Sequence, residues 1–312
     1  MGPVDDRIQF AGSDAAVRWL AHSHEAANLR ILELETVAKL DAALDVANTM
    51  GMPPQNFVAG DAHGNIGWSI AGQIPVKGGY DPMVPADWSN GSGWTGWLDA
   101  ADYPRVVNPE SHLIWTANAR VVDGDALQKI GDGGYDIGAR AKQIRDRLSE
   151  KDRFAPEDML KILRDREALF LGRWRTLLLE VLAAVRENIG SFQTCFDGSL
   201  SERTWGELNT AHIAHPLSQA VPWLSGWLDM PREVLPGDAN LPLAQSPDFG
   251  ASQRFSVSPG DEAKGLMHMP TGQSGHPLSP FYRRGHDDWV SGTPSPFLPR
   301  PTRHQLTLKP AP

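Results

Sequence analysis

The feature that most constrains this chain is a change in the spacing of its apolar residues along the sequence. Over residues 1–52, many apolar side chains recur at intervals of three and four, the spacing of an amphipathic helix. This spacing is lost over residues 53–137, which are rich in proline, glycine and tryptophan, and it returns over residues 138–190. Residues 191–312 again lack it. The pattern predicts the α+β class, with a helical middle region and loop-rich strand regions on either side.

Local signals place individual elements within these regions. Asp14 is a suitable N-cap for a first helical stretch that ends at Gly51. Two short apolar runs around a turn at Ala62–Asn65 predict a β-hairpin. Pro156 stands at a first-turn position of a later helix, followed by two acidic residues. The segments "GASQRFSVSPGDE" and "AKGLMHMPTG" are the best strand candidates of the last region.

The composition excludes several classes of protein. The 312 residues include 38 acidic and 29 basic side chains, a formal net charge of -9, and no basic stretch, so nucleic acid is not an expected partner. No apolar run reaches the roughly 18 residues of a membrane helix, and a membrane span is not expected. A single cysteine, Cys195, excludes an internal disulfide. The N-terminus has neither a cationic leader nor an apolar segment, so no export signal is expected on this chain.

Ser274 and His276 raise the hypothesis of a serine hydrolase. A nucleophile elbow has the pattern G-x-S-x-G, whereas here a glycine directly follows the serine. Prolines surround the segment, and the sequence around it offers no strand-to-helix turn. A structural turn is the favoured interpretation, and an independent esterase is kept as an alternative.

Other candidate groups lack the spacing of known sites. The ten histidines lie outside any HExxH or cysteine-paired pattern, which favours surface or helix-lining positions over zinc. Four aspartates, Asp123, Asp125, Asp132 and Asp136, do not follow an EF-hand loop. Four tryptophans, Trp68, Trp88, Trp94 and Trp97, suit a local core better than a sugar platform. Asn118, an asparagine between two alanines, is either a turn residue or a polar group with a functional role.

Five segments in a fixed order carry a resemblance to a known family. They are "NFVAGDAHGNIGWSIAGQIPVKGGYDP", "WTGWLDAADYPRVVNPESHLIWTANARV", "GARAKQIRDRL", "APEDMLKILRDREAL" and "GQSGHPLSPFY". Each is weak alone, but together they resemble the penicillin acylase (penicillin amidase) family over nearly the whole chain. The resemblance implies an N-terminal nucleophile hydrolase with a four-layer αββα core, of which residues 1–312 would be an incomplete β-chain region.

The resemblance also implies how the reaction is shared between segments. Family members cut themselves to expose a serine that is the first residue of the β chain and whose α-amine acts as the base. Ser13 does not suit that role, because it lies only 105 residues before Asn118 and opens a helical pattern. The nucleophile is therefore expected on a preceding segment, and the partners implied are an α chain, that N-terminal β-chain segment and an acyl amide substrate.

Two residues match site positions of the family. Asn118 matches the asparagine that closes the N-P-x-x-G-x-I motif and supplies its side-chain NH2 to the oxyanion hole. Arg140 matches the active-site arginine that begins the R-A-x-R-I helix. The sequence departs from these motifs at His112, where the family has glycine, and at Lys142–Gln143, which replaces the second arginine. The first departure puts the geometry of the turn in question.

The remaining implications concern calcium, location and activity. Calcium would be a structural ion held by the backbone carbonyl of Pro82 and an acid such as Asp125, and no organic cofactor is expected. The periplasm is the compartment that the resemblance implies. The function implied is hydrolysis of carbon–nitrogen bonds in linear amides, such as a β-lactam side chain or an N-acyl homoserine lactone. The alternative is an inactive fragment or split-gene subunit that acts as the structural partner of a separately encoded nucleophile half.

Overall fold

A computed structural model of the chain describes residues 4–10, 13–82, 84–131, 134–186, 204–248, 253–270, 274–299, 301, 306, 307 and 309. The chain forms two compact units, Met1–Gly138 and Ala139–Pro312. Both contain helices and small antiparallel sheets, as the predicted α+β class requires.

The first unit contains seven described strands and two α-helices. The strands are β1 Val4–Phe10, β2 Ser13–Ala16, β3 Gln55–Gly60, β4 Ile66–Ala71, β5 Pro75–Gly78, β6 Gly93–Trp97 and β7 Val106–Val107. The helices are α1 Leu40–Thr49 and α2 Gly124–Ile130. The strands pair antiparallel as β1 with β2, β5 with β6, and β3-β4-β7 in one sheet.

Helix α1 covers one face of the β3-β4-β7 sheet. Phe57 from β3 packs against a buried cluster that includes Ala47 and Ala71. A Cβ at Gly67 would lie 3.0 Å from the Leu40 side chain, so glycine lets the helix approach the strand closely. This contact fixes which face of the sheet is left for the loops that follow β7.

The opposite face of the sheet carries the main core of the first unit. Trp68 is only 1% exposed and packs with Ile70, Ile74 and Tyr103. The Tyr103 hydroxyl accepts a hydrogen bond from the Ile74 N–H at 2.9 Å and donates to the Gly72 carbonyl at 3.0 Å. Its polar atom is therefore satisfied inside the core, as burial of a phenol requires.

A buried polar group joins α1 to the sheet. The Asn48 side chain is completely buried, and its Nδ2 donates to Ser69 Oγ and to the Ile70 carbonyl, both at 2.8 Å. Its Oδ1 accepts from the Arg105 guanidinium at 2.6 Å, which also contacts Asp45. Because the donor and the acceptor of the Asn48 amide are both paired, its hydrogen bonds fix the position of the helix on the sheet.

The second unit contains six described α-helices and five short strands. The helices are α3 Ala139–Leu148, α4 Pro156–Leu163, α5 Leu169–Arg186, α6 Trp205–Leu208, α7 Ser225–Leu228 and α8 His286–Ser291. The strands are β8 Thr210–Ala211, β9 Glu233–Val234, β10 Arg254–Ser256, β11 Leu266–His268 and β12 Ser295–Pro296. They form the antiparallel sheets β8-β9 and β10-β11-β12. One core cluster brings together Ala211, Leu235 and Trp289.

Several local predictions are confirmed. The hairpin predicted around Ala62–Asn65 is β3-β4, and Pro156 occupies the first turn of α4. Both candidate strands of the last region are present as β10 and β11. Within the described ranges, none of the helices combines the length and apolar character needed to cross a bilayer.

The prediction that residues 1–52 are helical is wrong for most of that range. Ser13–Ala16 is a strand, so Asp14 caps no helix there, and 3-10 turns follow. Among the described residues of that range, only α1 is an α-helix. Its Leu44 is fully buried, whereas Leu29, in the earlier stretch of the same spacing, is 77% exposed. Short helices depend on burial of an apolar face, and only α1 buries one.

The predictions about the tryptophan and histidine side chains are confirmed only in part. Trp68 is core, as predicted, while Trp88, Trp94 and Trp97 form a half-buried row with ring centroids 6.2 and 6.5 Å apart. Two histidines of the second unit are only 3% exposed, His268 on β11 and His286 in α8. The surface or helix-lining interpretation is wrong for His268, whereas His286 lies in a helix. Cys195 and Asp132 lie outside the described residues.

Candidate functional site

Asn118 lies on a loop of the first unit that is anchored on both sides. Ile114 before it and Val121 after it pack against the core around Trp68. Ala119, the next residue, is buried, while the Asn118 side chain is exposed. The loop therefore presents one amide at the surface from a fixed base.

Hydrogen bonds hold the backbone on either side of Asn118. The carbonyl of Ala117 accepts from Asn56 Nδ2 at 2.8 Å, and the carbonyl of Asn118 accepts from the Asp136 N–H at 3.0 Å. Asn56 Oδ1 in turn accepts from the Trp68 indole N–H at 2.9 Å. Both peptide groups that flank the Asn118 Cα are thus tied to other elements, which restricts the direction of its side chain.

The Asn-Pro motif at the start of this loop is joined to the β3-β4 turn. Asn108 Oδ1 accepts from the Ile66 N–H at 2.9 Å, and Nδ2 donates to Asn65 Oδ1 at 3.0 Å. Asp61 closes the turn by accepting from the N–H groups of His63 and Asn65. The hydrogen bond from the Asn65 side chain is the main reason that the pKa of Asp61 lies below its ordinary value. Two motifs distant in sequence thereby form one polar unit.

His112 occupies the left-handed backbone region, with φ 53°. This region favours glycine, because a Cβ is crowded there. At the position where the family has glycine, His112 therefore adopts a backbone conformation that carries some strain for a residue with a Cβ. Asn108 has a positive φ as well, 45°, which asparagine tolerates better than most residues.

Arg140 is the second residue of α3 in the second unit, and it is half-buried. The helix is anchored by Gln143, whose Nε2 donates to Asp165 and to the Glu167 carbonyl, both at 2.9 Å. Arg147 adds a hydrogen bond to Asp165 at 2.7 Å. Burial opposes ionisation of Asp165, but the hydrogen bonds from Arg147, the Glu167 N–H and Gln143 hold its pKa below the ordinary value. Gln143, which replaces the second arginine of the motif, thus serves as a buried structural donor.

His276 begins a turn, His276–Ser279, two residues after Ser274. His276 is exposed, and its Nδ1 accepts from the Leu278 N–H at 3.2 Å. The same tetrapeptide, HPLS, occurs at residues 215–218, where His215 Nδ1 accepts from the Leu217 N–H at 3.0 Å. This short repeat escaped the sequence analysis, and its two copies adopt the same His-capped turn. The contacts support the structural interpretation over the esterase.

Pro82 and Asp125 are the residues from which calcium binding is expected. Asp125 lies in the first turn of α2, and Pro82 is half-buried in the loop after β5. Calcium takes six to eight oxygen ligands, and across the described residues no three His, Cys, Asp or Glu side chains gather around a common point. One carbonyl and one carboxylate are too few to hold the ion by themselves, so calcium stays a prediction and no step depends on it.

Comparison with known proteins supports one family. The family model described as penicillin amidase matches residues 1–194 and 173–304. Penicillin acylase 2 proenzyme from a Pseudomonas species is 28% identical over 301 residues, 87% of this chain. Acyl-homoserine lactone acylase QuiP from Pseudomonas aeruginosa is 22% identical over 146 residues, 46% of this chain.

A solved structure supports the fold. The chain superposes on a thermostable penicillin G acylase from Alcaligenes faecalis with a TM-score of 0.52 and 15% sequence identity. The superposition covers 91% of this chain and 72% of the acylase chain. The chain spans 37% of the length of penicillin acylase 2 proenzyme and 17% of the length of QuiP. The family model accounts for nearly all of the sequence. The chain therefore belongs to the penicillin amidase family.

Proposed function

We propose that this chain is the part of an acyl amide hydrolase that supplies the oxyanion donor Asn118. The observation that carries the proposal is the way the Asn118 loop is built. Its backbone is held by Asn56 and Asp136, its flanks pack against the core, and its amide is exposed. A donor must be fixed before reaction to stabilise charge that develops only in the transition state.

The chemistry assigned to Asn118 is donation of a hydrogen bond. When a nucleophile adds to an amide carbonyl, negative charge moves onto the carbonyl oxygen, and the Asn118 NH2 would hold that oxygen. Loss of one such donor typically costs about 3 kcal/mol of transition-state stabilisation. The nucleophile in this proposal is an N-terminal serine from another segment. Its hydroxyl adds to the carbonyl carbon while its own α-amine takes the hydroxyl proton, and the amine half of the substrate then leaves with that proton. Water hydrolyses the remaining acyl-serine ester and releases the carboxylic acid and the free serine.

Arg140 is proposed to support this site from the start of α3. A guanidinium is always charged and offers fixed donors, so it can orient a carbonyl or a side-chain amide near the reacting group. The anchoring of α3 by Gln143 and Arg147 on Asp165 gives that helix a rigid base. The chain is also proposed to contribute to a four-layer αββα core.

The substrate class and the location are part of the same proposal. One relative is named as a penicillin acylase and another as an acyl-homoserine lactone acylase, so we assign this chain an amide with an acyl group of one of these kinds. The proposed compartment is the periplasm. A structural calcium is part of the same proposal, with Pro82 and Asp125 as this chain's contribution and the other ligands from elsewhere.

The test is reconstitution with a nucleophile-bearing segment. The chain is co-expressed with a segment that carries a family-like α chain and an N-terminal nucleophile serine, and the complex is assayed on a chromogenic acyl anilide. Asn118→Ala is expected to lower kcat by roughly 100- to 1,000-fold. Asn90→Ala, in an exposed loop of the same unit, is the matched control and should retain activity. Full activity in Asn118→Ala would refute the role of Asn118.

A second function, that of a structural partner, is favoured by one observation. Helix α5 exposes large apolar side chains along its length, including Trp174 at 54% and Leu178 at 56%. Exposed apolar surface of this kind is typical of interfaces. If the reconstituted complex forms but hydrolyses no acyl anilide under any condition that supports a family acylase, the structural role is the better account.

A further inference from the structure

Asn56 is an exposed residue of β3 that connects the core to the Asn118 loop. In the sheet register Asn56 lies opposite Ile70, and Val58 lies opposite Trp68, so Asn56 and Trp68 are diagonal neighbours on one face. The Trp68 indole N–H donates to Asn56 Oδ1 at 2.9 Å, and Asn56 Nδ2 donates to the Ala117 carbonyl at 2.8 Å. The oxygen of the Asn56 amide therefore accepts a hydrogen bond from the core, and its NH2 donates one to the loop.

This arrangement also fixes which way the Asn56 amide points. An indole N–H can only donate, so it requires the oxygen of the amide rather than the NH2. The NH2 must then face the Ala117 carbonyl. Because Trp68 is 1% exposed and held in the core, its ring gives this chain of hydrogen bonds a fixed origin.

We infer that Asn56 is a positioning residue for the oxyanion donor, an inference that rests on the proposed function of Asn118. The peptide group between Ala117 and Asn118 carries both the carbonyl that Asn56 binds and the N–H of Asn118. Holding that peptide plane restricts φ of Asn118, while the Asp136 N–H on the next carbonyl restricts ψ. Together they set the direction of the Asn118 Cα–Cβ bond, on which the aim of the NH2 depends.

Asn56→Asp separates positioning from stability. Aspartate has the same shape and keeps an oxygen for the Trp68 N–H, but it cannot donate to the Ala117 carbonyl when ionised, and its second oxygen repels that carbonyl. The core contact is retained and the loop contact is lost. We expect kcat to fall by about 10- to 100-fold, because displacement of a catalytic group by an ångström has effects of that size. KM should stay within about twofold, since the lost interaction acts in the transition state.

The decisive measurement is a double-mutant cycle in the reconstituted complex. If Asn56 acts through Asn118, then Asn56→Asp should change kcat in the wild-type background but have no further effect when Asn118 is alanine. Asn90→Asp, the matched exposed asparagine, should leave kcat unchanged in both backgrounds. Equal effects of Asn56→Asp in both backgrounds, or an unchanged kcat in the wild-type background, would overturn the inference.

Hydrogen exchange of the chain alone supplies a readout that does not depend on activity. Amide exchange in residues 113–122 should be faster in Asn56→Asp than in wild type, with exchange in α3 unchanged. Asn56→Gln, which keeps both amide functions on a longer stem, should restore part of the protection. A complex without activity but with this exchange pattern would refute the proposed hydrolase and leave the positioning intact. Unchanged exchange in residues 113–122 would overturn the positioning itself.

Discussion

The left-handed residue His112 gives a prediction at the scale of one side chain. For most L residues the left-handed region is less favourable by about 1–2 kcal/mol of conformational free energy. Glycine avoids this strain, but its freedom in the unfolded chain lowers stability by roughly 0.5–1 kcal/mol. His112→Gly is therefore expected to raise the free energy of unfolding by up to about 1 kcal/mol. Urea denaturation measures the change.

The matched control lies two residues earlier in the same turn. Glu110 is exposed and is not among the residues with positive φ, so Glu110→Gly should lower the free energy of unfolding through the entropy of the unfolded chain alone. Opposite signs for the two glycine substitutions would confirm strain at His112. A loss of stability in both would show that the left-handed backbone carries no penalty there.

Tyr103 gives a second prediction, in which stability depends on pH. Burial raises the pKa of its hydroxyl to about 12, from 10.0, so the folded state keeps the proton that the unfolded chain loses first. The stability from this group is complete below pH 10 and is lost as pH rises through about 12.

Tyr103→Phe tests this assignment. The substitution leaves the Ile74 N–H and the Gly72 carbonyl without their partner. It should therefore lower the free energy of unfolding by about 1–3 kcal/mol at neutral pH. That difference from wild type should shrink when denaturation is repeated above pH 10. A difference that is the same at both pH values would contradict the assignment.

At the scale of an element, the β3-β4 turn should weaken in acid. Hydrogen bonds from Asn65 and His63 favour the ionised carboxyl of Asp61 and lower its pKa. Its contribution is therefore present above the unfolded value near 4 and is lost as pH falls through the lower folded value. The gap in thermal midpoint between wild type and Asp61→Ala should narrow from pH 7 to about pH 3. An equal gap at both values would show that charge on Asp61 does not stabilise the turn.

Elements differ in how far the sequence predicts them. The β3-β4 hairpin and α4 have signals within their own residues, namely the turn residues Asp61, Gly64 and Asn65 for the hairpin and Pro156 for the helix, and both were predicted. The stretch before α1 has helical spacing but no buried face, as Leu29 shows, and spacing alone does not reveal whether a partner is present. The residues of the candidate site also differ in how far the sequence predicts them. A motif indicates Asn118, whereas its contact through Asn56 joins residues 61 positions apart and has no local signal.

At the scale of the whole molecule, the exposed apolar residues of α5 predict association of the isolated chain. An 18-residue helix in water needs a buried face for stability, yet Leu177, Leu178 and Val181 are each about half exposed. Contact with another polypeptide would remove this surface from water, at roughly 25 cal/mol for each Å² of apolar area buried. Concentration-dependent self-association is expected when no other partner is supplied.

Leu178→Lys tests whether α5 drives that association. A charged side chain on the exposed surface should shift the light-scattering mass toward the monomer at a given concentration, because burying it would cost desolvation. Thr176→Lys adds the same charge to the same helix without removing an apolar side chain, so it should shift the mass less. If both variants shift the mass equally, net charge rather than the apolar surface of α5 controls association. If neither does, another surface holds the copies together.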